Sequence, residues 1–257
     1  LVGQEWDAGR YARDASFVPA LAGAVFEWLD PRPGERILDL GCGDGSLTSR
    51  LIAAGAGVVA VDASADMVRA AQARGIDARC LDARAIAFEA EFDAVFTNAV
   101  LHWIRDGMDR VLAGVLRALR PGGRFVGEMG GFGNVAAITV AILAVLESRG
   151  IDGRGLLPWM FPTAEAWATR LRRTGFRVER IELVPRPTRL DAGMEAWLEL
   201  FAGPFFAALP EAERAASRRE VARLLEPVLQ DEAGVWHADY VRLRFLARRP
   251  EAPAGDA

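Results

Sequence analysis

Between residues 36 and 129 the order of apolar and polar positions alternates short β-type runs with helical stretches of ten to fifteen residues, the pattern of a parallel α/β sheet. The predicted strands are Arg36–Leu40, Val58–Asp62, Ala78–Leu81, Phe92–Thr97 and Arg124–Glu128. The helices between them carry their own stops. Leu47–Ala54 ends at Gly55, Ala65–Arg74 starts behind a Ser64 cap and ends at Gly75, and Met108–Leu119 runs into Pro121-Gly122-Gly123. Strands bracketed in this way predict a sheet covered by helices on both faces.

The flanks read differently. Residues 14–29 predict a helix closed by Pro31-Arg32-Pro33-Gly34. Beyond strand five, Asn134–Ser148 is an almost wholly apolar helix, Thr163–Arg173 an amphipathic one, and Phe176–Val184 alternates like a strand. Helices are then predicted over Asp191–Phe206 and Glu211–Leu229, and a last strand over 235–247. The expected organisation is one domain over residues 1–257, with a ligand-binding core at 36–130 and final strands at 176–184 and 235–247. Residues 131–159 and 186–234 are read as two pieces of a helical lid over the C-terminal edge of the sheet, where ligands bind in such folds.

Asp39-Leu40-Gly41-Cys42-Gly43-Asp44-Gly45 joins a predicted strand to a predicted helix, the context a nucleotide-binding glycine loop needs. Asp62 ends the second strand, placed to accept hydrogen bonds from both hydroxyls of a ribose. The spacing Gly-x-Gly-x-Gly lacks the third glycine of a dinucleotide loop, and Asp44 sets a negative charge inside it. A phosphate-free ligand carrying an amine or sulfonium cation suits that charge better than a pyrophosphate.

Composition narrows the chemistry. The 31 basic residues are all arginine, which excludes lysine Schiff bases and a P-loop lysine. Two cysteines and two histidines at unrelated spacings favour neither a zinc site nor a disulfide framework, so no metal is expected. A net charge of −4 without a basic face argues against a nucleic-acid partner. The longest apolar stretch, Val135–Leu146, has 12 residues, too few to span a bilayer. The opening Leu1-Val2-Gly3-Gln4-Glu5-Trp6 carries no export signal, so a cytoplasmic location is expected.

Asp39–Gly45, Val61-Asp62-Ala63-Ser64, Leu81-Asp82-Ala83, Phe92–Asn98 and Leu119–Phe125 resemble the successive motifs of class I S-adenosylmethionine-dependent methyltransferases. That family implies a Rossmann-like, mostly parallel sheet of seven strands with an antiparallel last strand. Asn98-Ala99-Val100-Leu101-His102-Trp103 and Trp6-Asp7-Ala8-Gly9-Arg10-Tyr11 resemble the trans-aconitate methyltransferase branch and its cyclopropane-fatty-acid-synthase-like relatives. The resemblance implies S-adenosylmethionine as cofactor, S-adenosylhomocysteine as product and a small-molecule acceptor as partner. It also implies a cofactor site in which Asp39, Gly41, Cys42 and Gly43 form the loop and Asp62 holds the ribose. Ala63, Met67, Asp82 and Ala83 would surround the adenine, Asn98, Ala99 and Leu101 would sit by the sulfonium, and Tyr11 would close over it.

Several of these residues have a plainer reading beside the functional one. Asp82 also suits a turn cap, Asn98 a strand end, Met67 a helical core position and Cys42 a small space filler. His102 is the candidate catalytic base, or else a packed, hydrogen-bonded histidine; Trp103 would wall the acceptor pocket. Trp159, Phe161, Trp197 and Phe201 line a substrate pocket or form the core of the lid. The expected reaction is in-line methyl transfer, and a carboxylate acceptor needs no base. Alternatives are cyclopropanation of an unsaturated lipid with the same cofactor, an NAD-dependent oxidoreductase, and a non-catalytic binding module.

Overall fold

The computed structural model describes residues 21–251 together with Gly9. Seven strands form one sheet: β1 (Arg36–Leu40), β2 (Gly57–Asp62), β3 (Ala78–Cys80), β4 (Phe92–Asn98), β5 (Leu119–Gly130), β6 (Arg177–Leu190) and β7 (Trp236–Arg248). Their order is β3-β2-β1-β4-β5-β7-β6. The first five are parallel, whereas β7 is antiparallel to both of its neighbours. This is the expected mostly parallel sheet, and the direction of chain reverses at β1, where β2 lies on one side and β4 on the other. A crevice at the C-terminal ends of these strands follows from that topology.

The helices are α1 (Gly23–Leu29), α2 (Ser46–Ala53), α3 (Ala65–Ala73), α4 (Met108–Ala118), α5 (Ala136–Glu147), α6 (Ala164–Thr174), α7 (Gly193–Phe201), α8 (Gly203–Ala207) and α9 (Glu211–Leu229). Ser64 caps α3 by accepting from the Met67 amide, and Thr163 caps α6 by accepting from Ala166. Both sheet faces are dry. Leu38, Leu40, Phe92, Val95 and Phe125 pack toward α4, while Ile37, Phe96 and Val126 pack with Val25 and Leu29 of α1 and Leu51 of α2.

Three boundaries depart from those expected, and the first is that β5 starts at Leu119 instead of Arg124, so that Pro121-Gly122-Gly123 fall within it. β6 runs to Leu190 instead of stopping at Val184, so residues 186–190, assigned above to the lid, are strand. Pro185 and Pro187 within it have no N–H to give to a ladder. β6 is the outer strand, however, and an edge tolerates the missing N–H. The helix expected over Asp191–Phe206 is two, α7 and α8, because Pro204 in the first turn of α8 has no N–H to carry the hydrogen-bond ladder across Gly203. Only Gly23–Leu29 of the N-terminal helix lies within the described residues.

Helices α5 and α7–α9 share a separate aromatic core containing Trp159, Trp197, Phe201, Phe205, Phe206 and Tyr240. Trp197 Nε1 donates to the Tyr240 hydroxyl at 2.6 Å, which satisfies the indole donor inside that core. Among the described residues no helix is long and apolar enough to cross a membrane.

Candidate active site

The glycine loop after β1 folds onto β2. The Gly41 and Cys42 amides both donate to the Val61 carbonyl, at 2.7 and 3.0 Å. Gly41 has φ +79°, and a Cβ there would fall 2.2 Å from Val100 Cγ2, so only glycine lets the β1 and β4 loops meet. Gly43 also lies in the left-handed region at φ +56°, but a Cβ on it would meet nothing within 4 Å. Its amide donates to Asp62 Oδ2 at 2.9 Å, and Asp62 Oδ1 accepts from the Ser64 amide at 2.8 Å. Each Asp62 oxygen therefore keeps a lone pair for another donor.

These residues open onto a cavity of about 520 Å³. One part of its wall is Gly41, Gly43, Asp62, Ala63, Met67, Asp82, Ala83, Asn98 and Ala99, nine of the positions put forward from the sequence. Another part is apolar, built from Val100, Trp103, Ile104, Leu156, Leu157 and Pro158, with Pro204 and Ala207 from α8. Arg84, Arg105 and Asp106 complete the charged lining. Arg105 Nη1 donates to the Leu157 carbonyl at 2.6 Å and so ties the loop after β4 to the segment facing it.

Asp82 fills both roles weighed for it. It accepts from the Arg84 amide at 2.8 Å, capping the turn Ala83–Ala85, and it also faces the cavity while paired with the Arg84 guanidinium. The Arg84 pairing holds its carboxyl below the usual range, although burial works against that. Met67 is at once core and cavity wall. Asn98 sits at the end of β4 with Oδ1 buried and without a hydrogen-bond partner among the described residues, an acceptor facing a site that can supply a donor.

Other expected positions lie elsewhere. Asp39 is buried behind the loop, where its Oδ2 accepts from the Thr48 hydroxyl at 2.6 Å, and it does not line the cavity. Cys42 turns its thiol into a small core with Ala60, Val68 and Ala71, and Leu101 is buried against α4. Tyr11 falls outside the described residues. Trp159, Phe161, Trp197 and Phe201 stack among themselves within the helical core and do not reach the cavity wall. Asp44 is not the free charge expected in the loop. Its carboxylate turns back onto Ser46 and Arg74 at 2.8 and 2.9 Å, so it places no free charge in the cavity. The negative character of the loop comes instead from Asp39 and Asp62, which, after burial itself, push the Cys42 thiol pKa upward.

His102 is not a base facing the cavity. It is buried beside Trp103 and Phe161, its Nδ1 accepts from the Gly130 amide at 3.3 Å, and burial and then Arg242 hold its pKa well below the ordinary 6.5. It stays neutral through the physiological range. We expect His102→Asn, whose amide oxygen can still accept from Gly130, to keep kcat within about threefold, with an unchanged pH–rate profile. Loss of a general base would lower kcat roughly 10²–10⁴-fold, and a drop of that size would reinstate the catalytic role.

Asp39 carries a separate pH signature. Burial, opposed by Thr48 and reinforced by Asp62, raises its pKa from 3.8 to about 7. Between those two values the folded state binds the proton more tightly than the unfolded chain, so Asp39's contribution to stability declines as pH rises from about 4 to about 7. Asp39→Asn mimics the protonated acid and should abolish that decline, read as denaturation midpoints at pH 5 and pH 8 that lie closer together than in the wild type.

Val100, Ile104 and Arg105 line the wall without having been singled out in the sequence, and residues 155–158, within the lid expected over 131–159, form the segment facing them. Ala99 offered no hint in its side chain. Its left-handed φ of +59° at the end of β4 turns the chain into the cavity, and such a conformation in a non-glycine residue shows only in the structure.

A family model described as "Methyltransferase domain" matches residues 37–123. Over 256 residues, 95% of this chain and 98% of the relative, the sequence is 38% identical to an uncharacterised methyltransferase of Schizosaccharomyces pombe. Over 94 residues, 35% of this chain and 37% of the other, it is 48% identical to trans-aconitate 2-methyltransferase of Mycolicibacterium gilvum. Phosphoethanolamine N-methyltransferase 2 of Haemonchus contortus, solved with phosphomonomethylethanolamine and S-adenosylhomocysteine, superposes with a TM-score of 0.56 at 20% identity. The superposition covers 91% of this chain and 53% of that one.

Proposed function

Since the chain belongs to the S-adenosylmethionine-dependent methyltransferases, we propose that it transfers the cofactor's methyl group to the carboxylate of a small molecule by in-line displacement. That cofactor, when bound, supplies a methyl group already activated on a sulfonium. Asp62 would accept from the ribose hydroxyls with the lone pairs its two amide partners leave, and the backbone at Gly41 and Gly43 would hold the amino-acid part. Ala63, Met67, Asp82 and Ala83 would enclose the adenine, and Asn98, whose Oδ1 has no partner among the described residues, would offer an acceptor near the sulfonium end. Val100, Trp103, Ile104 and the 155–158 segment keep water from the reacting atoms, with α5 and α7–α9 as the lid behind them. Orientation in a dry site of this kind supplies on the order of 7–11 kcal/mol toward the barrier.

The observation that carries the carboxylate reading is the makeup of the wall. Its described side chains are aliphatic, methionine, proline, tryptophan, one amide and five charged groups, and of the three acids Asp62 is held by backbone amides and Asp82 by Arg84. A wall of this kind positions an acceptor that is already nucleophilic. The name of the part-length trans-aconitate relative also gives it a carboxylate substrate. Incubating the protein with S-adenosylmethionine and a panel of small carboxylic acids should yield S-adenosylhomocysteine and a methyl ester by mass spectrometry. Turnover with amines, thiols or alcohols but with no acid in the panel would overturn the assignment.

A further inference from the structure

The apolar part of the cavity wall keeps surface that the fold itself does not cover. Trp103 and Ile104 from the loop after β4, Leu156, Leu157 and Pro158 from the facing segment, and Pro204 of α8 all line the cavity, and each is only half-buried. Their neighbours are closed off. Trp159, whose ring lies 5.8 Å from that of Trp103, and Phe205, next to Pro204 in the chain, are buried in the helical core. The same segments thus turn apolar surface toward the core and toward the cavity, and covering the second surface with an apolar group is favourable.

Position separates this wall from the part assigned to the cofactor. The cofactor part comes from the ends of β1 to β4 and the start of α3, whereas Leu156, Leu157, Pro158 and Pro204 belong to the lid. Arg105 joins the two through its hydrogen bond to the Leu157 carbonyl. At about 520 Å³ the cavity falls within the range of roughly 300–1,000 Å³ common to small-molecule sites.

The charge on the lining limits the acceptor further. Among the described residues it holds three acids, Asp62, Asp82 and Asp106, against two arginines, Arg84 and Arg105. Arg84 is paired with Asp82 and also feels the charge of Asp106. Even with the sulfonium of the bound cofactor, these groups leave no excess of positive charge. Each carboxylate beyond the one methylated would therefore enter uncompensated, which is costly in a site shielded from water. The likeness to trans-aconitate 2-methyltransferase extends over 94 residues, fewer than separate Val100 from Ala207, so it does not contain the whole of this wall.

We propose that the acceptor is a monocarboxylic acid with an apolar body, which lies along Trp103, Ile104 and the 156–158 segment while its carboxylate meets the methyl group. The inference rests on the carboxylate-methylation reading and adds to it the nature of the rest of the acceptor. Ile104, Leu156 and Leu157 are specificity residues, and they select by the apolar area they cover.

The test compares kcat/KM for methylation of butyrate, hexanoate and octanoate with that for succinate, citrate and trans-aconitate, alongside the matching alkyl alcohols and amines. Each added methylene should raise kcat/KM about fourfold while wall remains to be covered, the worth of one buried methylene. Hexanoate should exceed every polyacid by about tenfold or more. Leu156→Asn and Leu157→Asn should each cut the advantage of octanoate over butyrate about fivefold or more, with S-adenosylhomocysteine affinity within about twofold of wild type. Both side chains are half-buried, so the variants are expected to fold, and thermal melts verify it. A polyacid preferred over hexanoate, rates independent of chain length, or folded variants that keep the full advantage of octanoate would overturn the apolar acceptor and leave carboxylate methylation standing. Alcohols or amines methylated with the same rise per methylene, while no acid is esterified, would sink the carboxylate reading and keep the apolar body.

Discussion

Glu128→Ala should lower the stability of the protein by about 3–5 kcal/mol, the loss expected when one partner of a buried ion cluster is removed. For a domain of this size that is a fall in melting temperature on the order of 10 °C. The size of the effect follows from the arrangement on β5, β6 and β7: Glu128 is 1% exposed and accepts from Arg186, Arg242 and Arg244, and its removal leaves them facing one another with only Glu182 to answer them. Arg186 also ties down the start of α1 through the Leu21 carbonyl at 3.1 Å, so the damage should extend to that helix. Differential scanning calorimetry decides the matter. A shift under about 2 °C would mean that the guanidinium groups find water or other partners at little cost.

Asp62→Ala should weaken S-adenosylhomocysteine binding by about 1–3 kcal/mol, roughly five- to 150-fold, the usual worth of hydrogen bonds to a charged group. Here the carboxylate has two tasks. It anchors the glycine loop through the Gly43 amide and the turn into α3 through the Ser64 amide, and it presents its remaining lone pairs to the cavity. Asp62→Asn separates them. One of its two atoms must be an NH₂ facing an amide N–H, so the loop anchor is damaged while the volume is kept. Titration calorimetry on both variants reads the result, and wild-type affinity in Asp62→Ala would remove Asp62 from the ribose site.

How much of this was readable in the chain depends on whether a feature is local. Strands β1 to β4 and the helices between them were legible because each apolar run is closed by its own glycine or proline, and Ser64 and Thr163 cap as their positions suggest. Asp62 was legible because its place at the end of a strand fixes where its carboxylate can go. What failed depended on partners distant in sequence. Asp44 looked like a free charge until Arg74, 30 positions on, claimed it. The spacing of Trp197 and Phe201 shows that they are buried, not whether they face a ligand or Trp159. Glu128 and its three arginines come from strands β5, β6 and β7, and no short window of sequence contains them together.

The two prolines of β6 bear on how the molecule meets other copies of itself. Pro185 and Pro187 stand on the outermost strand, amid alternating arginine and glutamate from Arg177 to Arg186, and the opposite margin is the three-residue strand β3. A free sheet margin recruits foreign backbone when it is long, flat and rich in unpaired N–H groups. Here one margin is short and the other carries two prolines and many charged side chains, features that each discourage pairing with a neighbouring chain.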